Sequence, residues 1–300
     1  MSIDRLIARV LALRNPTVVG LDPTIELIPH QLFEHARGEN PFERAANAVT
    51  SWGFALIDAI FDIVPAVKLQ LACYEQFRYE GMEAYYKTIQ YAQQRGMYVI
   101  ADAKRGDIGS TCDCYAKAHL GYIELYGKTH PVFDADAMTV NPYLGSDGIL
   151  PFMAHQKAVF VLVKTSNPSS GELQDVVVDG MPIYMRMAEK IKTLGSHTAG
   201  EFGFSQVGAV VGATYPTELQ ALRHYLPNTF FLIPGYGAQG GGASDVAAAF
   251  NEDGLGAIIS ASRSIIGAWK KHARGEDYAQ CAREAALEMR DMLRTVAYFV

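Results

Sequence analysis

The chain has 300 residues, is 49% hydrophobic and 19% charged, and carries a formal net charge of −6. That fits one large globular domain or two small ones with a sizeable core. No basic stretch offers a nucleic-acid surface, and no run reaches the length of a membrane span. A small anionic ligand stays open, because it needs only a few local cations. Cys73, Cys112, Cys114 and Cys281 lack zinc spacing and read as reduced thiols of a cytoplasmic protein. The first ten residues carry Asp4, Arg5 and Arg9 and lack the apolar core of a signal peptide. They read as a helix over 1–14 that covers the bottom of the domain, with a transit peptide as the alternative.

Thr17-Val-Val-Gly-Leu-Asp22 predicts a first strand, and the polar, proline-bearing stretch 23–40 predicts a long loop or lid. Residues 41–62 predict a helix, with Asn40 as cap and Pro41 in the first turn. Ala66-Val-Lys-Leu-Gln70 is strand two, with Lys68 in its middle. A helix over 74–95 follows, apolar at Met82, Tyr85, Ile89 and Ala92 and stopped by Gly96. Strand three starts at Tyr98 and runs into Asp102-Ala-Lys-Arg-Gly-Asp-Ile-Gly-Ser-Thr111; a helix is expected over 111–126. Strand four covers 137–141, with a helix over 146–155. Strand five covers 159–166, and its loop runs to about Gly180 before a helix over 181–194. Strands six, seven and eight fall at 207–214, 230–235 and 256–262. Pro216 opens the helix after strand six, a short helix covers 243–250, and the last helix spans 277–297.

Strand and helix thus alternate eight times with no linker. Short apolar strands covered on both faces form a parallel sheet with right-handed crossovers. The expectation is a single-domain (β/α)8 TIM barrel over 1–300. A doubly wound open sheet is disfavoured, since no G-x-G-x-x-G follows the first strand.

In such a barrel the chemistry sits at the C-terminal ends of the strands. Asp22, Lys68, Asp102, Lys104 and Asp107 collect there from the first three strands, with Asn141, Thr165, Ser166, Gln239 and Arg263 from later ones. Residues two apart on a strand share a face, so Asp102 and Lys104 point the same way; Gly106 then lets the chain turn. Buried charges must neutralise one another, so the cluster reads either as a site or as a structural ion pair plugging the barrel. Lys68 reads as a site lysine or as a side chain snorkelling at a strand end. The glycine run 235–242 and Arg263 occupy the loops where this fold usually binds phosphate. No His-x-His, His-Glu-x-x-His or Gly-x-Ser-x-Gly pattern is present, and His30, His119 and His155 read as surface or loop residues rather than ligands.

Residues 102–111 match the D-x-K-x-x-D-I-x-x-T signature of the orotidine 5′-phosphate decarboxylase family. Gly20-Leu-Asp22, Val67-Lys68, Pro234-Gly-Tyr-Gly-Ala-Gln-Gly240 and Ser262-Arg263-Ser264 follow in the same order. The resemblance runs from about residue 17 to 270 and is strongest to the longer bacterial subgroup. A sister group of magnesium-dependent phosphosugar lyases shares D-x-K-x-x-D but carries an acid on strand two, where this chain has Lys68.

The resemblance implies decarboxylation of orotidine 5′-phosphate (OMP) to UMP in pyrimidine biosynthesis, without cofactor or metal. It implies that Asp22 and Lys68 hold ribose hydroxyls and that Asp102, paired with Lys68, lies beside the substrate carboxylate. Lys104 would stabilise and protonate the C6 carbanion. Asp107, Ile108 and Thr111 would reach the neighbouring subunit's site in a homodimer. Ser166 would meet the pyrimidine, with Thr165 as the alternative, and Gln239 and Arg263 would bind phosphate under a closing loop. The competing readings are a magnesium-dependent phosphosugar lyase and a non-catalytic barrel that binds a nucleotide.

Overall fold

The structure is a computed structural model that describes residues 1–237, 242–272 and 277–299. Eight parallel strands close a barrel: β1 (Thr17–Leu21), β2 (Ala66–Gln70), β3 (Tyr98–Arg105), β4 (Ala137–Val140), β5 (Ala158–Lys164), β6 (Val207–Val211), β7 (Phe231–Ile233) and β8 (Ala257–Ala261). Each strand pairs with its neighbours in sequence, and β8 returns to β1. The predicted (β/α)8 barrel is therefore present. Among the described residues no helix is long and apolar enough to cross a membrane.

Strand parity sorts the core into two layers. Val19, Val67, Val99 and Val161 face outward into the helix-covered layer with Trp52, Leu56 and Ile89. Val18, Ala66, Ile100, Ala137, Phe160 and Ile258 face inward. The helix Ser2–Leu13 closes the bottom, presenting Ile3, Leu6, Ile7 and Val10 to that inner layer at helical spacing. One layer further up, the same inward parity places Lys68, Asp102 and Thr139, all buried. The barrel interior thus changes from apolar at its base to ionic at its mouth.

Several local expectations change. The 23–40 excursion contains a short helix, His30–His35. The expected 74–95 helix is two helices, Leu71–Glu75 and Arg78–Gln94, broken at Arg78 with φ 62. The helix expected over 111–126 is Gly109–His119, and residues Tyr122–Leu125 and Lys128–Pro131 form an antiparallel hairpin instead. The expected 146–155 helix is a 3-10 turn, Gly145–Gly148, followed by Leu150–Met153. Val177–Val178 pairs antiparallel with Met181–Pro182 as a two-residue hairpin in the loop after β5. His119 is buried rather than at the surface, edge-on to Tyr85, and burial pushes its pKa down to about 4.

Candidate active site

The register of β1, β2 and β3 aligns Gly20 with Lys68 and Gln70 with Asp102, so the inward side chains of Lys68, Gln70 and Asp102 converge at one end of the barrel. Lys68 Nζ donates to Asp102 Oδ2 at 2.6 Å and lies 3.9 Å from Asp22 Oδ1. Lys104 Nζ donates to Asp102 Oδ1 at 2.6 Å. Two neutral donors complete the shell: Gln70 Nε2 to Oδ2 at 3.2 Å and Thr139 Oγ1 to Oδ1 at 2.9 Å. Asp102 therefore accepts four hydrogen bonds while only 5% exposed, the condition under which a buried carboxylate can stay ionised.

Burial opposes charge on Asp102, but Lys68 and then Lys104 outweigh it and hold the carboxyl well below the usual carboxylate range. Burial also opposes charge on Lys68, yet Asp102 and Asp22 raise its pKa above the ordinary lysine value. Each partner thus locks the other in its charged form. The cluster opens upward, because Lys104's side chain is 43% exposed while those of Lys68 and Asp102 are 7%.

Lys104 reaches this position by an irregular route. The β3–β4 register aligns Ala101 with Met138 and then Arg105 with Val140, so β3 carries a bulge over 102–104. Within it Lys104 adopts φ 48, a left-handed conformation disfavoured for a residue with a Cβ. The strand itself runs on to Arg105, and the chain leaves it at Gly106, as expected. A Cβ at Gly106 would stand 2.3 Å from the carbonyl oxygen of Asn141.

A cavity of about 870 Å³ lies over the cluster. Asp22, Lys68, Asp102, Lys104, Ser166 and Arg263 all line it. So do Gln70 and Thr139, which sequence reasoning missed. Asp22 Oδ1 is buried without a hydrogen-bond partner among the described residues. Among those residues Arg263 likewise carries no ion pair. Gln239 falls outside the described residues.

Thr165 and Ser166 differ in what their hydroxyls do. The Gln174 side chain accepts from Thr165 N at 2.9 Å and donates to Thr165 Oγ1 at 2.7 Å. Thr165 Oγ1 also donates to Asn167 Oδ1 at 2.6 Å. No such partner occupies the Ser166 hydroxyl among the described residues; its carbonyl accepts from Thr214 Oγ1 at 3.3 Å.

Asp107, Ile108 and Thr111 are not among the residues lining this cavity. Asp107 is held locally: its N–H donates to Cys112 Sγ at 3.0 Å, and its Oδ1 accepts from Ile108 N at 2.7 Å. Ile108 is 62% exposed. Within one chain the ionic cluster is therefore Asp22–Lys68–Asp102–Lys104, without Asp107. Among the described residues no group of His, Cys, Asp and Glu side chains could hold a metal ion.

A family model described as "Orotidine 5'-phosphate decarboxylase / HUMPS family" matches residues 18–278. A protein of Rhodopirellula baltica named orotidine 5′-phosphate decarboxylase is 41% identical over 299 residues, covering 97% of this chain and 98% of its own length. A protein of the same name from Caldicellulosiruptor bescii is 38% identical over 279 residues, covering 91% and 92%. The solved structure of Leishmania donovani OMP decarboxylase superposes with TM-score 0.74 at 31% identity, covering 100% of this chain and 99% of that one.

Proposed function

The chain belongs to the orotidine 5′-phosphate decarboxylase / HUMPS family, and on that premise we propose that it converts OMP to UMP and CO2 in pyrimidine nucleotide biosynthesis, as a metal-free carboxy-lyase. One observation carries this reading. A buried, fully hydrogen-bonded carboxylate presents the Lys104 ammonium to a cavity that also holds Arg263. A decarboxylase needs a fixed cation where a carbanion develops. The lysine on β2 belongs to this chemistry rather than to the phosphosugar lyases, whose strand two carries an acid.

The resemblance supplies the roles, and the geometry of the described residues supports them. Phosphate pairs with Arg263, which lines the cavity; the resemblance adds Gln239 as an amide donor to the same group. Asp22 Oδ1, buried without a donor, accepts from a ribose hydroxyl, with Lys68 as the second contact. Ser166 meets the pyrimidine, because the Thr165 hydroxyl is already engaged by Asn167 and Gln174. The substrate carboxylate then lies by Asp102, and C6 faces Lys104. The C6–carboxylate bond breaks, its electron pair stays on C6 and CO2 leaves. Lys104 gives C6 a proton and regains one from solvent.

Asp107, Ile108 and Thr111, which do not line their own chain's cavity, reach the site of a second copy in a homodimer. Mixing inactive Lys104→Ala and Asp107→Ala chains would then restore turnover through hybrid sites; no recovery would remove the shared site. The setting is cytoplasmic, as for other enzymes of nucleotide synthesis.

The activity is tested by incubating the purified protein with OMP and measuring UMP and CO2. Equimolar UMP and CO2 support the reading. OMP bound but unchanged would leave a silent nucleotide-binding barrel.

A further inference from the structure

We propose that Thr139 is a positioning residue for this reaction, its hydroxyl bridging the Asp102 carboxylate and the Lys104 backbone. The inference rests on the decarboxylase reading and deepens it.

Thr139 sits on β4 opposite the β3 bulge, where the two strands fall out of register between Ala101 and Arg105. Its side chain stands where the ladder is interrupted. Oγ1 accepts the Lys104 backbone N–H at 3.0 Å and donates its proton to Asp102 Oδ1 at 2.9 Å. The residue is 1% exposed, so water does not compete for either bond. One oxygen thus ties down both ends of the Asp102–Lys104 pair: the carboxylate by its charge, and the lysine by its main chain.

The arrangement matters because Lys104 is held at φ 48. A non-glycine residue stays in the left-handed region only where its surroundings fix it there. A regular β3 would carry Lys104 along the strand, whereas the bulge re-aims its side chain over Asp102. The Lys104 N–H at this strained position needs an acceptor, and Thr139 supplies one from the neighbouring strand. As a β-branched strand former, Thr139 could be replaced by valine without loss of shape. Only the hydroxyl accounts for both contacts. Fixing a cation before the carbanion forms lowers the reorganisation needed in the transition state.

The test compares Thr139→Val, which keeps the shape and removes the oxygen, with Thr139→Ser, which keeps the oxygen and removes the methyl. Turnover of OMP, affinity for UMP and hydrogen exchange of the Lys104 amide are measured in both and in the unmodified protein. Thr139→Val is expected to lose between about tenfold and a hundredfold in kcat, with UMP affinity within about threefold. Its Lys104 amide should exchange faster, and Thr139→Ser should recover both kcat and protection. Unchanged kcat in Thr139→Val would overturn the proposal. So would a Thr139→Ser variant as slow as Thr139→Val, because the methyl packing would then be what counts. If the unmodified protein makes no UMP, the decarboxylase reading itself fails. Lys104 amide exchange in the two variants still decides whether the hydroxyl holds the bulge.

Discussion

The two sides of the barrel mouth are built differently. On the β1–β3 side, Lys68, Asp102 and Lys104 are strand residues, and two of the three are buried and mutually paired. On the β5–β8 side, Ser166 and Arg263 sit just beyond their strands. There the cavity wall is fixed by contacts within loops, such as Gln174 on Thr165 and Tyr215 Oη on the Asn167 carbonyl at 3.2 Å. The first side gains rigidity from the ladder and from charge neutralisation. The second gains reach, and can adapt to a substrate that arrives and leaves. On the proposed reading the reacting carbon and the ribose meet the first side, and the pyrimidine and phosphate meet the second.

Removing the reacting cation should show the largest effect. Lys104→Ala is expected to lower kcat by at least about a thousandfold while the far-ultraviolet spectrum and UMP affinity hold, since that side chain is half-exposed. Near-normal turnover would place the chemistry elsewhere. Asp102→Asn strikes the same side but should show as stability. It leaves Lys68 buried beside a neutral group, and a loss of about 3–5 kcal/mol in denaturant unfolding is expected. An unchanged midpoint would mean that the pair is not buried in solution.

Acid sharpens that contrast. The folded pKa of Asp102 lies below its unfolded value of about 3.9, so its stabilisation is present above about pH 4 and is lost as pH falls toward the folded value. Lys68 works in the opposite sense. Its raised pKa gives stabilisation present below about pH 10.4, lost only as pH rises through the folded value. The pair therefore contributes evenly across neutral pH. Asp102→Asn should flatten the acid limb of the unfolding midpoint, and an identical limb would contradict the pairing.

On the recognition side, Arg263→Ala should raise KM about tenfold to a hundredfold with a smaller change in kcat, the loss of a charge-assisted contact. An unchanged KM would remove the phosphate assignment. Asp175→Ala should show the smallest effect on the kinetics. Asp175 is half-exposed and pairs at 2.5 Å with the buried Lys164, whose ammonium lies 4.4 Å from the Tyr215 ring centroid. Loosening this loop should raise KM about threefold and leave kcat in place. A large fall in kcat would mean that the loop takes part in the chemistry.

Much of the rigid side was legible in the sequence, because β-branched runs mark strands and a lysine or aspartate inside one stands out. Lys68, Asp102 and Lys104 were found that way. Thr139 was not, because a threonine in Ala-Met-Thr-Val reads as ordinary strand propensity and nothing local shows its hydroxyl meeting β3. The bulge is hidden for a related reason: nothing in Asp-Ala-Lys-Arg marks a left-handed residue before the chain leaves the strand at Gly106. The first arm of the Tyr122–Leu125 and Lys128–Pro131 hairpin falls inside the helix expected over 111–126. All eight of its paired residues are exposed, so no alternation toward a core announces it. The break at Arg78 has neither glycine nor proline to mark it.

The central claim is that the protein's own buried ion pairs, rather than a metal, support the loss of CO2. The most direct measurement is ultraviolet absorbance of OMP with the purified protein in excess EDTA, repeated with magnesium in place of the chelator. The orotate band is expected to disappear at the same rate in both. A reaction that stops in EDTA and returns with magnesium would contradict the central claim.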